Sequence, residues 1–169
     1  MFLRTLLVVA ALLAGCAGKP TPAPPKPLVV PARTLEIDLQ AEAGLNFDAR
    51  DRSAPLVVRV YELRAPVNFQ AADFFTLFER DQSALGNDIV SREELQLRPG
   101  ESRRLTRELK PESRVVGVFA AYRDLERATW RAMLTLPEPP APTANPPLAP
   151  IPVPVRVVLG PREVRISGR

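Results

Sequence analysis

Apolar and polar residues alternate with a period of two along most of this chain. Leu35, Ile37, Leu39 and Ala41 alternate with Glu36, Asp38, Gln40 and Glu42, the pattern of a strand with one buried face. Residues 56–63 follow, with Val58 and Val60 inward and Arg59 and Tyr61 on the opposite face. Leu95 and Leu97 alternate with Glu94, Gln96 and Arg98 up to a Pro99-Gly100 turn, and 105–109 reads as the return strand. Residues 115–122 (VVGVFAAY) are apolar on both faces and predict a central strand. Trp130, Ala132, Leu134 and Leu136 alternate with Arg131, Met133 and Thr135. Residues 153–159 and 162–166 close the chain across a Gly160-Pro161 turn. About eight short strands with turn signals between them predict a mostly-β chain folded as a β-sandwich.

One segment departs from this period. Ala71, Phe74, Phe75 and Phe78 fall at i, i+3, i+4 and i+7, which predicts a helix, with Asn68 as its N-cap and Asp73 in its first turns. Four of the seven phenylalanines lie in 69–78. The helix either packs its rings on an edge of the sandwich or shows them as an aromatic docking surface.

Proline divides the chain. Of 20 prolines, six lie in residues 20–31 and nine in 137–154, leaving one core-forming region between two proline-rich ones. Residues 16–33 predict a tether. In polyproline II its fifteen residues 17–31 would reach roughly 45 Å. Residues 34–169 predict the sandwich domain, interrupted by an exposed proline-rich loop at 137–154 that serves as a spacer or docks in a groove.

The first residues carry an address. Arg4 precedes an apolar run at 5–13, too short for a bilayer, which needs about 20 apolar residues. Leu13-Ala14-Gly15-Cys16 then matches a lipobox, so 1–15 is expected to be a cleaved lipoprotein signal peptide and Cys16 the acylated residue. At roughly 0.8 kcal/mol per buried methylene, several acyl chains hold a protein firmly. Ala17 and Gly18 follow the cysteine, and the absence of an aspartate there fits sorting to the outer membrane.

The chemistry is restricted. The chain has one cysteine and no histidine, which excludes an internal disulfide, His-based triads and His metal ligands. The net charge of +4 is spread over arginines that mostly alternate with apolar residues, without a nucleic-acid recognition motif. Glu93 and Glu94 are adjacent, so on a strand they face opposite ways. Residues 123–127 read as an exposed polar turn, and Gly86 and Gly100 stand outside any phosphate-binding pattern. The residues therefore favour a protein with no enzyme activity, no cofactor, no metal and no small-molecule substrate. They leave open a periplasmic lipoprotein that binds a ligand or assists folding, and an envelope enzyme working with carboxylates alone.

A set of ordered motifs narrows this further. It comprises Val58-Arg59-Val60-Tyr61-Glu62-Leu63, Phe69-Gln70-Ala71-Ala72-Asp73-Phe74-Phe75, Asp81, Leu85-Gly86, Asp88 and Pro99-Gly100. Val116-Gly117-Val118, Ala121-Tyr122-Arg123-Asp124 and Trp130-Arg131 complete it. In this order behind a lipobox, the chain resembles the outer-membrane lipoprotein of the type VI secretion system, the TssJ family. The resemblance implies a transthyretin-like β-sandwich with an added helical element. It implies an anchor facing the periplasm that binds the periplasmic C-terminal domain of the inner-membrane protein TssM, which also assembles with TssL. It also implies partner contacts from the loop between the first two strands, here 45–54, with Leu45, Asn46, Phe47, Asp48, Arg50 and Arg52 as the candidate residues. Family members often carry Asn-Pro-Asp or Asn-Pro-Asn in this loop; here Phe47 replaces the proline. Phe47 is either an exposed anchor with a polar rim or tucked onto the sandwich edge.

Overall fold

The computed structural model describes residues 25–168. The expected signal peptide, Cys16 and the first part of the tether lie outside the described residues. Eight strands form two four-stranded sheets. β1 (Arg33–Ala41), β4 (Ser102–Leu109), β7 (Ile151–Leu159) and β8 (Val164–Gly168) make one sheet in the order β4-β1-β7-β8. β2 (Leu56–Leu63), β3 (Ile89–Leu97), β5 (Val115–Ala120) and β6 (Arg131–Thr135) make the other in the order β3-β2-β5-β6. β1 runs parallel to β7, and the remaining neighbours within the sheets are antiparallel.

The predicted alternation builds the space between the sheets. Leu35, Ile37 and Leu39 of β1 meet Val58 and Val60 of β2, Val116 and Val118 of β5, and Val155 and Val157 of β7 in one buried cluster. The opposite face of the second sheet is buried as well. There Tyr61, Leu63, Val115 and Phe119 pack beneath two helices, α1 (Val67–Ala71) and α2 (Phe74–Leu85), which contribute Phe69, Leu77 and Leu85. Three layers result, and they explain why β5 is apolar throughout.

Four expectations change. First, the Pro99-Gly100 turn does not close a hairpin. β3 pairs with β2 while β4 pairs with β1, so residues 98–101 cross from one sheet to the other, about 10 Å. Gly100, at φ +76°, takes the left-handed turn position. Second, the helical segment is two helices. Ala72 is extended, ending α1, and α2 starts afresh with Asp73 as its N-cap; the Asp73 carboxylate accepts from Thr76 N (3.0 Å) and Thr76 Oγ1 (2.7 Å). Asn68 sits inside α1 and donates to Asp88 (2.7 Å) instead of capping.

Third, the buried side of α2 is Leu77, Asp81 and Leu85, with Phe74 half-buried. Phe75 and Phe78 are 60% and 44% exposed, so the predicted aromatic stripe is only partly inward. Fourth, the proline-rich loop ends at Pro150, because β7 begins at Ile151 and contains Pro152 and Pro154. β8 pairs only with Val155–Leu159, so these prolines sit where β7 is locally an edge and needs no N–H on that side. The end of the tether is also engaged, since Val29 and Thr143 exchange backbone hydrogen bonds of 2.9 and 3.0 Å.

Candidate functional site

The loop between β1 and β2 forms one pole of the sandwich. Leu45 is fully buried and plugs the end of the core, while the backbone closes on itself through Ala54 N to Leu45 O (3.1 Å). Asn46 is also buried, at φ +49°; Asn tolerates this conformation better than most residues. Its side chain ties two loops, donating to Pro55 O (3.0 Å) and accepting from Arg123 N (3.0 Å). Leu45 and Asn46 therefore position the loop, and the residues they present are Phe47, Asp48, Arg50 and Arg52.

Asp48 organises the tip. One carboxylate oxygen accepts from Arg50 N (2.8 Å) and Arg52 N (3.1 Å), and the other from Arg52 Nε (2.9 Å). The Arg123 guanidinium stands 3.7 Å away. The Arg52 side chain first, then these backbone amides, hold the Asp48 pKa down to about 2. Phe47 is half-buried, and the Arg162 guanidinium lies over its ring at 4.4 Å. Arg162 in turn pairs with Asp124 (2.8 Å).

The pole is thus wider than the sequence suggested. Arg123, Asp124, Arg127 and Arg162 join Phe47 and Asp48 around a shallow depression. Tyr122 fixes the two outer turns, donating from its buried hydroxyl to Glu163 O (2.7 Å), with Gly160 O at 3.2 Å. The signal available in the sequence was Tyr122-Arg123-Asp124, whose polar pair reads as a solvated turn until the fold places it beside 45–54. The depression is lined by arginines together with the carboxylates of Asp48, Asp124 and Glu126, and the Phe47 ring lies beneath Arg162.

A second polar cluster lies under α2. Arg59 Nε donates to Glu94 (2.7 Å), and Arg59 Nη1 donates to the carbonyls of Leu77 (2.7 Å) and Phe78 (2.9 Å). Asp81 receives Tyr61 OH (2.7 Å) and Arg92 Nε (2.6 Å). Burial opposes the Asp81 charge, yet the Arg92 and Tyr61 hydrogen bonds and the Arg92 and Arg59 charges outweigh it and hold the carboxyl below its ordinary range. Burial, aided by Asp81, pushes the Tyr61 phenol well up. The helix is kinked here, at Arg80 (φ −139°). This cluster clamps α2 to the sheet. Glu93, on the other face of β3, pairs instead with Arg107 (2.9 Å), so the two adjacent glutamates do point apart.

Residues 33–160 match the family described as T6SS-SciN, type VI secretion lipoprotein, with the names VasD, EvfM and TssJ. This chain belongs to the type VI secretion lipoprotein family. It is similar to the crystal structure of the T6SS lipoprotein TssJ1 from Pseudomonas aeruginosa, at 39% identity and a TM-score of 0.72 over 82% of this chain and 98% of that one. It is also similar to Lip of Serratia marcescens, a membrane-bound component of the type VI secretion system: 29% identity, TM-score 0.71, 82% and 99% covered. A chain of a type VI membrane complex matches at 26% identity and a TM-score of 0.64, with 80% and 98% covered. No curated protein matches. The mostly-β sandwich and the family resemblance are borne out. Nearly the whole of each of these two solved lipoproteins, 98% and 99%, corresponds to 82% of this chain, and the sandwich encloses both of its own cores.

Proposed function

We propose that this lipoprotein is the outer-membrane anchor of a type VI secretion membrane complex. Acyl groups on Cys16 hold one end in the membrane. The pole formed by the β1–β2 loop binds the periplasmic C-terminal domain of a TssM-like inner-membrane protein, which assembles further with TssL. The protein performs no chemistry; it transmits position and load. The observation that carries this reading is membership of a secretion lipoprotein family over residues 33–160, from β1 through β7.

The geometry supports it. The leader enters at Arg33 and the candidate loop leaves at Ala41, so membrane tether and partner surface lie at opposite ends of β1, about 26 Å apart. Phe47 gives the surface an aromatic group, and Arg50, Arg52 and Arg123 give it a polar rim.

The test is a titration of residues 25–169 against the periplasmic domain of the TssM-like protein encoded in the same genome. We expect micromolar or tighter binding, weakened at least tenfold by Phe47→Ala with Asp48→Ala. Tight binding indifferent to that double change would move the interface, with exposed Phe75 and Phe78 next to test. No binding by the folded domain would overturn the proposed role. In the full chain, Cys16→Ser should release the protein from outer-membrane fractions and abolish secretion.

A further inference from the structure

Among the described residues, the opposite pole, where the leader joins, contains a cation without an ion pair, that of Arg33. Arg33 is the first residue of β1, and the strand alternation turns its side chain inward with Leu35 and Ile37. Only 5% of the residue is exposed. Nη1 donates to Pro137 O (2.8 Å), while the buried Nη2 has no hydrogen-bond partner among the described residues. Burial, then the neighbouring Arg114 guanidinium, disfavours its charge. The buried carboxylate of Glu62 is taken by Arg107 (2.7 Å) and Ser113 (2.9 Å). A buried, unpaired guanidinium is costly, and an arriving anion relieves that cost.

Arg33 lines a hollow of about 320 Å³. The hollow is the seam between the sheets, left open because β8 covers only the second half of β7. Its walls are Leu134, Leu136, Pro140, Ile151, Val153 and Val155, with Thr135 and Glu138 among its polar residues. The volume is room for about ten water-sized groups, at the small end of ligand pockets.

The walls select the occupant. Pro137, Pro140, Pro152 and Pro154 carry no backbone N–H, so the bare edge of β7 offers a peptide few donors. A peptide backbone placed here would bury polar groups unsatisfied. An aliphatic chain has no such groups, and one anionic head satisfies the one orphaned donor. We propose that this seam binds an aliphatic carboxylate of about ten carbons, its chain against Leu134, Ile151, Val153 and Val155 and its head on Arg33. The guanidinium swings on its long side chain to do so, exchanging a single bond to the Pro137 carbonyl for a two-bond fork.

The site would couple ligand to leader, because the covering segment 137–150 is the one bridged to the tether through Val29 and Thr143. It is independent of the secretion role and of the opposite pole.

The experiment is calorimetric titration of residues 25–169 with sodium decanoate below its micelle concentration, beside 1-decanol as the same chain without charge. We expect saturable decanoate binding with a Kd of about 100 μM or tighter, and decanol weaker by about tenfold or more. Arg33→Met should remove the difference between the two ligands while leaving the melting temperature unchanged or higher, since it removes an unpaired buried charge. Ile151→Trp, which leaves Arg33 in place and fills the seam, should abolish binding of both. The proposal is overturned if the folded wild-type domain shows no saturable binding, if decanol binds as well as decanoate, or if Ile151→Trp binds normally. Undiminished decanoate binding by Arg33→Met would refute the assignment of the head group.

Discussion

Replacing Asp81 by alanine tests whether a buried ion cluster, and not helix propensity, holds α2 on the sheet. The Asp81 side chain is 9% exposed and its partners Arg59 and Arg92 are 10% and 26% exposed. Asp81→Ala removes the acceptor of Tyr61 OH and of Arg92 Nε and leaves a guanidinium and a phenol under the helix with fewer partners. Removing one member of a fully buried pair costs about 3–5 kcal/mol. Arg92 and Glu94 reach solvent, which screens part of this, so about 2–4 kcal/mol is expected. At about 2–4 °C per kcal/mol for a domain of this size, the melting temperature should fall by roughly 5–15 °C. Tyr61→Phe removes one hydrogen bond to a charged acceptor, worth about 1.5–3 kcal/mol, and the double variant should cost less than the sum of the singles.

The pH dependence gives an independent reading of the same cluster. The Asp81 pKa is lowered in the folded state, so its stabilisation is complete above the unfolded value near 3.8 and is lost as pH falls through the folded value. Asp81→Asn should therefore flatten the acid limb of stability below about pH 4. The assay is urea denaturation followed by tryptophan fluorescence, since Trp130 contacts Phe74 at the start of α2 (5.4 Å between rings). A loss under about 1 kcal/mol for Asp81→Ala, with strict additivity to Tyr61→Phe, would refute the clamp.

Two further outcomes follow from single contacts. Gly117→Ala should cost about 1–3 kcal/mol in denaturant titrations, because a Cβ there would lie 3.2 Å from the buried Phe69 ring and 3.3 Å from Leu63, and Phe69→Leu in the same chain should recover part of it. Asp48→Ala should leave the melting temperature nearly unchanged yet speed hydrogen exchange at the Arg50 and Arg52 amides; in the wild type that protection should be full above about pH 4 and lost as pH falls through about 2.

The strands were legible because each has at least one face on the dense core between the sheets, and a period of two survives there. The opposite face of β2 shows where legibility ended. Arg59 and Tyr61 read as an outward, polar-tipped face, and only the helices laid over them make that face interior. Their polar ends are paired by Asp81 and Glu94, which lie 22 and 35 residues away from Arg59, a match that no local pattern reveals. The aromatic spacing in 71–78 misled for a related reason. Ala72 breaks the helix, so phase counted from Ala71 does not carry into α2, whose inward side is set by Leu77 and Leu85. At the pole formed by the β1–β2 loop, the loop was found through its resemblance, whereas Arg162 entered only through its contact with Phe47, 115 residues earlier.

The placement of the two poles has a mechanical consequence. If the leader holds the membrane and the β1–β2 loop holds the partner, tension enters at Arg33 and leaves at Ala41, along the axis of a single strand. β1 is not an edge: it pairs with β4 over eight residues and with β7 over nine. Load along its length acts on both ladders in shear, so many hydrogen bonds must yield together, whereas load across a sheet edge peels them one at a time. Pulling single molecules through attachment points at residues 25 and 49 should therefore require more force than pulling through 49 and 168, where β8, held by five pairs at an edge, can peel first. Forced unfolding reads the barrier to unfolding directly, so Ile37→Ala, a cavity in the middle of β1 costing about 2–5 kcal/mol, should lower the first force clearly and the second little. Equal forces for the two geometries would show that β1 does not carry the load, and the anchor would then have to pass tension through the leader's bridge at Val29 and Thr143 into the proline-rich segment.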